Sequence, residues 1–389
     1  MKNMIQDYPW GSERYLQDLL GLEKTGPLAE LWMGVHPRGM SRLVEPGAAS
    51  QSLAEYISQN PAALLGAQVN EDFGVLPYLF KLLAAGEPLS IQAHPSKSQA
   101  ELGFARENEL GIPLDGFNRN YKDDNHKPEI ICAITDYWAM KGFRKPDEVL
   151  SYFSPWCPSS LQSVLFTVPS SDESSFLKSF FISLMNLGDP QIKELLNAAL
   201  NWCSTQNDDA CRWVLKLQDK YPGDTGILSP LFLNTLCLKP GEALYLPAGE
   251  LHAYLQGLGV ELMANSDNVL RGGLTRKFMD LKELEKILLF ESADAMRILP
   301  ELESDGSAVY KTPSREFELV RLDCRNRSIT LEGDYPVSVL VVLLGDITLS
   351  EGDDSLLLKP GESCFLPCPG VSRLIQGPGI AFLARTPRR

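Results

Sequence analysis

The chain has 389 residues, 44% apolar and 22% charged, enough for two or three domains of about 150 residues and far from disordered or fibrous compositions. Thirty-six Lys and Arg stand against 50 Asp and Glu, a formal charge of −14, so nucleic acid is not expected as a partner and an anionic small molecule would need a local basic pocket. The longest apolar runs, such as residues 339–344, fall far short of the roughly 20 a bilayer requires.

In chain order, the opening residues 1–8 carry neither an apolar signal core nor an Arg-rich pattern, which leads to the expectation of a cytoplasmic protein. Ser52-Leu53-Ala54-Glu55 fits a capping box opening a helix. Short strands are expected over residues 76–134. Residues 171–187, 190–202 and 208–221 place apolar side chains at three-to-four spacing and predict a small helical unit, inserted into or beside a β core. Strands return over residues 232–264. Leu238-Lys239-Pro240-Gly241-Glu242 continues to Pro247 and recurs, 120 residues later, from Leu358 to Pro367. Each copy reads as strand, Pro-Gly turn, strand in a meandering antiparallel sheet, so two related β units are expected. Residues 280–292 interleave charge and leucine as an amphipathic helix would. The eight cysteines form no CxxC pair and read as reduced core residues.

Only four histidines occur. Along residues 89–95 the period of two puts Ser90, Gln92 and His94 on one face and Leu89, Ile91 and Ala93 on the other. That polar face could equally be solvent-exposed. Glu129 opens the otherwise apolar strand Ile130-Ile131-Cys132-Ala133 and needs a partner. His252 follows the first repeat and shares a face with Tyr254; its equivalent in the second repeat is Ser372. Gln92, His94, Glu129 and His252 make a mixed N/O set suited to zinc or another first-row divalent ion, in the first unit only. His36 is expected to be structural, and His126 to line a pocket mouth.

The motifs Tyr8-Pro9-Trp10-Gly11-Ser12, Ala29-Glu30-Leu31-Trp32-Met33-Gly34, Ser90-Ile91-Gln92-Ala93-His94-Pro95, Asn125-His126-Lys127-Pro128-Glu129, His252-Ala253-Tyr254-Leu255 and residues 264–275 occur in this order. With them the sequence resembles the type I mannose-6-phosphate isomerases, a family of zinc-dependent enzymes. The resemblance implies a mainly β protein with an α-helical insertion: two cupin-like jelly-roll barrels plus a small helical domain. The expected division is a catalytic unit of residues 1–147 and 229–304, a helical domain of 148–228 and a metal-free barrel of 305–389. It also implies one zinc per chain on Gln92, His94, Glu129 and His252, an essential Arg271, and phosphate contacts from Lys81, Ser90 and Lys277. Pro9 stands where the family often has a small residue, and Arg276 interrupts a Leu-Thr-Pro-Lys pattern.

The implied reaction interconverts mannose 6-phosphate and fructose 6-phosphate through an enediolate, with a cation stabilising the oxygens. Glu261 and Lys127 are the candidate bases, Glu261 alternatively pairing with Arg271 or Lys127. Arg271 would hold developing negative charge or position the sugar. Lys81, among apolar neighbours, needs an anion, and the substrate phosphate is one. A non-catalytic sugar-phosphate sensor is the competing reading. An iron oxygenase is disfavoured by a set of only two histidines plus an amide. A monomer is expected.

Overall fold

The two copies of the repeated turn share one geometry. In the computed structural model, which describes residues 1–23, 26–44, 50–368 and 370–388, Gly241 and Gly361 have φ of 89° and 83°, a left-handed conformation open to glycine without strain. A carboxylate closes each turn: Glu242 accepts from Lys239 N–H at 2.8 Å and Glu362 from Lys359 N–H at 2.9 Å. The flanking strands do not pair with each other, however. Each turn carries the chain from one sheet to another, which corrects the meander expected from the sequence.

The first sheets are built from β1 (Met4–Gln6), β2 (Glu30–Gly34), β5 (Tyr78–Ala85), β6 (Ile91–Ala93), β7 (Glu129–Ala133), β8 (Tyr137–Phe143), β9 (Leu233–Leu238), β10 (Ala243–Leu246), β11 (His252–Ala264) and β12 (Leu270–Gly273), with β3 (Arg42–Leu43) and β4 (Gln51–Ser52) as a separate pair. Strand β11 is long enough to serve two layers. Its second half, from Gly257, pairs with β5 and β7, giving the order β1-β2-β5-β11-β7-β10. Its first half pairs with β6 and β8, giving β12-β6-β11-β8-β9. Leu83, Ala133, Tyr137, Leu244 and Tyr254 fill the space between.

The same order recurs in β13 (Glu301–Leu302), β14 (Ala308–Tyr310), β15 (Glu318–Asp323), β16 (Ile329–Leu331), β17 (Ser338–Leu344), β18 (Ile347–Glu351), β19 (Asp354–Leu358), β20 (Ser363–Leu366), β21 (Arg373–Gln376) and β22 (Ile380–Arg385). These form β13-β14-β15-β22-β17-β20 and β16-β21-β18-β19, with β21 and β22 standing where β11 stands in the first pair. Phe80 and Leu262 of the first pair share a core with Phe317, Val339 and Phe382 of the second, and Tyr78 Oη donates to the Ala384 carbonyl at 2.9 Å.

Helices α1 (Tyr15–Leu20), α2 (Leu53–Gln59), α3 (Pro61–Leu65), α4 (Ala67–Asp72) and α5 (Lys97–Glu109) decorate the amino-terminal part, and α2 opens with the expected Ser52–Glu55 capping box. The helical unit comprises α6 (Pro146–Phe153), α7 (Ser159–Leu165), α8 (Glu173–Met185), α9 (Asp189–Cys203), α10 (Asp209–Lys220), a 3₁₀ turn Thr225–Leu228 and α11 (Ser229–Phe232). Its apolar stripes pack on the outer face of the β6–β8 sheet, where Phe180, Phe181 and Phe232 meet Phe143 and Ala253. The helix expected over residues 280–292 is only α12 (Leu281–Ile287); the chain turns extended at Leu288.

His126 is not among the residues lining the cavity to which Lys127 and Glu129 belong. It is turned away onto the second sheet pair, its Nε2 2.7 Å from Glu316 Oε1. Burial opposes ionisation of Glu316, but His126 and the Ser314 hydroxyl outweigh it and hold the carboxyl at about 2. A depressed folded value contributes stability that is complete above the unfolded value of 4.5 and disappears as pH falls through the folded one. Glu316→Gln should therefore cost about 1–2 kcal/mol at pH 7, and thermal unfolding of wild type and variant should converge as pH is lowered from 4.5 towards 2.

Candidate active site and metal centre

Ile91 and Ala93 face the helical unit, so the alternation of β6 turns Gln92 and the following His94 inward rather than to solvent. Glu129 opens β7 and His252 opens β11, whose register sets His252 opposite Gln92. Three separate strands thus converge. His94 Nε2 lies 3.4 Å from Glu129 Oε1 and His252 Nε2 lies 3.5 Å from Glu129 Oε2, and none of the three residues is more than 1% exposed.

The tautomers follow from the neighbours. His94 Nδ1 is 2.7 Å from the Asn268 carbonyl and His252 Nδ1 is 3.0 Å from that of Glu250; a carbonyl only accepts, so each ring carries its proton on Nδ1. Both Nε2 atoms are left buried without a hydrogen-bond partner. Burial pushes His94 down to about 4, keeping it neutral. For Glu129 burial works against the charge, but the Lys127 ammonium, whose Nζ is 2.9 Å from Oε1, outweighs it and holds the carboxyl below its usual range. Two inward nitrogen lone pairs beside a buried carboxylate fit a divalent cation. Their spacing is close to the roughly 3.3 Å between tetrahedral ligands about 2.0–2.1 Å from one ion. Gln92 and Glu129 line a cavity whose lining residues do not include the two histidines.

That cavity, of about 430 Å³, is lined by seven cationic side chains and four carboxylates, the local excess of positive charge that a protein of charge −14 needs to hold an anion. Lys81 is not short of an anion, contrary to the argument from sequence. Its Nζ is 2.8 Å from Glu261 Oε2 and 3.3 Å from Glu30 Oε1 and 5.3 Å from the centre of the Trp32 ring. The same geometry corrects the partner expected for Glu261, which is Lys81 rather than Arg271 or Lys127. Burial raises the Glu261 carboxyl, Lys81 opposes that, and Glu129 and Glu30 add to it.

Arg271 pairs with Gln92 across the β12–β6 ladder. Burial lowers it with no carboxylate to offset the cost. Lys277 stands nearer the mouth and is lowered by partial burial, then by Arg271, Lys122 and Arg38. These cations repel one another over an open cavity. Ser90 is not among the residues lining it. His36 does line it, accepting the Arg38 N–H on Nδ1 at 3.3 Å, with Nε2 3.5 Å from Asp267. Sequence reasoning missed Glu30, Trp32 and Lys122. Glu30 and Trp32 share a face of β2 at period two, and Trp32 Nε1 donates to Glu30 Oε2 at 2.9 Å; Lys122, in an irregular segment, left no periodic signal.

Residues 1–146 match the family model of the phosphomannose isomerase type I catalytic domain. The mannose-6-phosphate isomerase of Escherichia coli K12 is 39% identical over 361 residues, 92% of each chain. This chain belongs to the type I phosphomannose isomerases. The Macaca fascicularis mannose-6-phosphate isomerase is 34% identical over 89% of this chain and 87% of its own, so the family likeness extends to animal members. A zinc-bound mannose 6-phosphate isomerase crystal structure superposes with a TM-score of 0.93 at 37% identity, covering 99% of this chain and 98% of that one. The mixture of sheets and helices described above is therefore that of the phosphomannose isomerases.

Proposed function

We propose that the chain is a zinc-dependent mannose-6-phosphate isomerase. The observation that carries this is the pair of orphaned imidazole nitrogens beside Glu129, itself part of the wall of a cationic cavity, in a chain of this family. Relatives that are isomerases favour the enzyme over a binding-only sensor. His94, Glu129, His252 and Gln92 would hold the zinc, which when bound supplies a Lewis acid for the sugar oxygens.

Glu261 is read as the base that takes the proton from C2 of the aldose and returns it to C1. It lines the cavity, and burial, opposed only in part by Lys81, makes it more basic than an ordinary carboxylate. Lys127, paired with Glu129, presents an ammonium to developing negative charge. Arg271, opposite Gln92, acts at the same end. Lys277 holds the phosphate nearer the mouth, and Lys81 orients Glu261 rather than binding phosphate. Ser90 has the weakest claim to contact substrate.

Mannose 6-phosphate turnover, coupled to detection of fructose 6-phosphate, should vanish with chelator and return with zinc; chelator-resistant turnover would overturn the reading. Glu261→Gln should lower kcat about 10²-fold with zinc retained. Because the folded carboxyl is raised and must be ionised to act, wild-type kcat/KM should fall as pH drops through a value above the ordinary carboxylate range. The variant should lack that limb.

Each sheet pair is read as a cupin-like jelly roll, with residues 1–147 and 229–304 forming the catalytic unit, 148–228 the helical one and 305–389 a barrel without metal. Ser372 supports the last point: it is exposed, 3.3 Å from Glu332, and offers no ligand to the interior of its own sandwich. A monomeric cytoplasmic enzyme without nucleic-acid or membrane partners accords with this. Among the described residues no helix is long and apolar enough to cross a membrane.

A further inference from the structure

The helical unit contributes no side chain to the cavity, yet it grips the loop that ends in Lys277. Asp224 lies between α10 and the 3₁₀ turn. Its Oδ1 accepts the Gly226 N–H at 2.7 Å and its Oδ2 accepts the Thr275 N–H at 3.1 Å. Thr275 Oγ1 in turn accepts the Lys277 N–H at 3.0 Å. Between them stands Leu274, buried, with φ of 54°, the one non-glycine residue with positive φ among those described. Such a conformation persists only where surroundings over-determine it, and it marks functional loops.

The surroundings here are unusually close. A Cβ on Gly226 would sit 2.7 Å from the Leu274 nitrogen, and one on Gly273 would sit 3.1 Å from Gly226 Cα, so the two backbones touch. From the same connector, Tyr221 Oη donates to the Pro88 carbonyl at 2.8 Å, three residues before β6. Residues 221–226 thus brace both β6 and the segment after β12, the two edges between which Gln92 and Arg271 face each other.

We infer that Asp224 is a positioning residue for the phosphate end of the cavity: by accepting the Thr275 N–H it holds Leu274 in its left-handed turn and so places Lys277. The role rests on the proposed assignment of the phosphate to Lys277. It gives the helical insertion, which carries no recognisable motif, a part in substrate affinity.

The test is steady-state kinetics of the zinc-loaded full chain, with inorganic phosphate as competing probe. Asp224→Asn keeps the shape and one acceptor but turns N–H against N–H at one contact. It should raise KM for mannose 6-phosphate and the inhibition constant of phosphate about tenfold, with kcat changed less than twofold, the pattern of Lys277→Ala. In Asp224→Ala combined with Leu274→Gly, KM should return towards that of Leu274→Gly alone, because glycine adopts the left-handed turn unaided; an Asp224 that merely stabilised the helices would gain nothing at position 274. Unchanged constants in Asp224→Asn beside raised ones in Lys277→Ala, or no rescue in the double variant, would overturn the positioning role. Unchanged constants in both single variants would overturn the phosphate assignment and the role with it.

Discussion

Replacing His94 or His252 by alanine should strip the chain of its zinc and lower turnover by at least about 10³-fold. The size follows from position. Both residues are 0% exposed, their Nδ1 atoms are committed to the Asn268 and Glu250 carbonyls, and the remaining nitrogens point at Glu129 with nothing else to bind. Losing an outer partner of a metal ligand already costs about 10–100-fold in affinity or activity, so losing a ligand outright should cost more. Elemental analysis after gel filtration should find well under one zinc per variant chain and close to one per wild-type chain. A variant that retains stoichiometric zinc would refute the ligand set, and two zinc ions per wild-type chain would refute a metal-free second barrel.

Periodicity made part of this site readable. Alternation in residues 89–95 separated Gln92 and His94 from Ile91 and Ala93, and the helical unit packs on the latter face as the apolar residues demand. Helix spacing was equally direct: both ends of α8, α9 and α10 fall within two residues of the ranges expected from sequence. What spacing could not supply is which distant groups meet. Lys81 looked like a cation in want of a phosphate because its two carboxylates come from positions 51 and 180 residues away. The repeated turn was recognisable from Lys-Pro-Gly-Glu, but that it crosses between sheets depends on strands contributed from elsewhere in the chain. Leu274 carries no signal at all in the sequence, since its left-handed turn is imposed by Asp224, 50 residues earlier.

Arg271 and Lys277 should fail in different ways. Arg271 lies across the ladder from Gln92, at the metal end, where burial makes an uncompensated guanidinium expensive in the free protein and effective against charge that appears during reaction. Arg271→Ala should therefore lower kcat about 10²–10³-fold, the scale of losing one preorganised charge-stabilising group. Lys277 stands nearer solvent, and the phosphate assigned to it in the proposed reading does not react. Lys277→Ala should raise KM more than it lowers kcat, unless binding energy at the phosphate is used to position the sugar, in which case both would change together. Rate measurements over a range of mannose 6-phosphate concentrations separate these outcomes. A near-normal kcat in Arg271→Ala, or an unchanged KM in Lys277→Ala, would mean that the reacting carbons and the phosphate occupy the opposite ends of the cavity from those assigned.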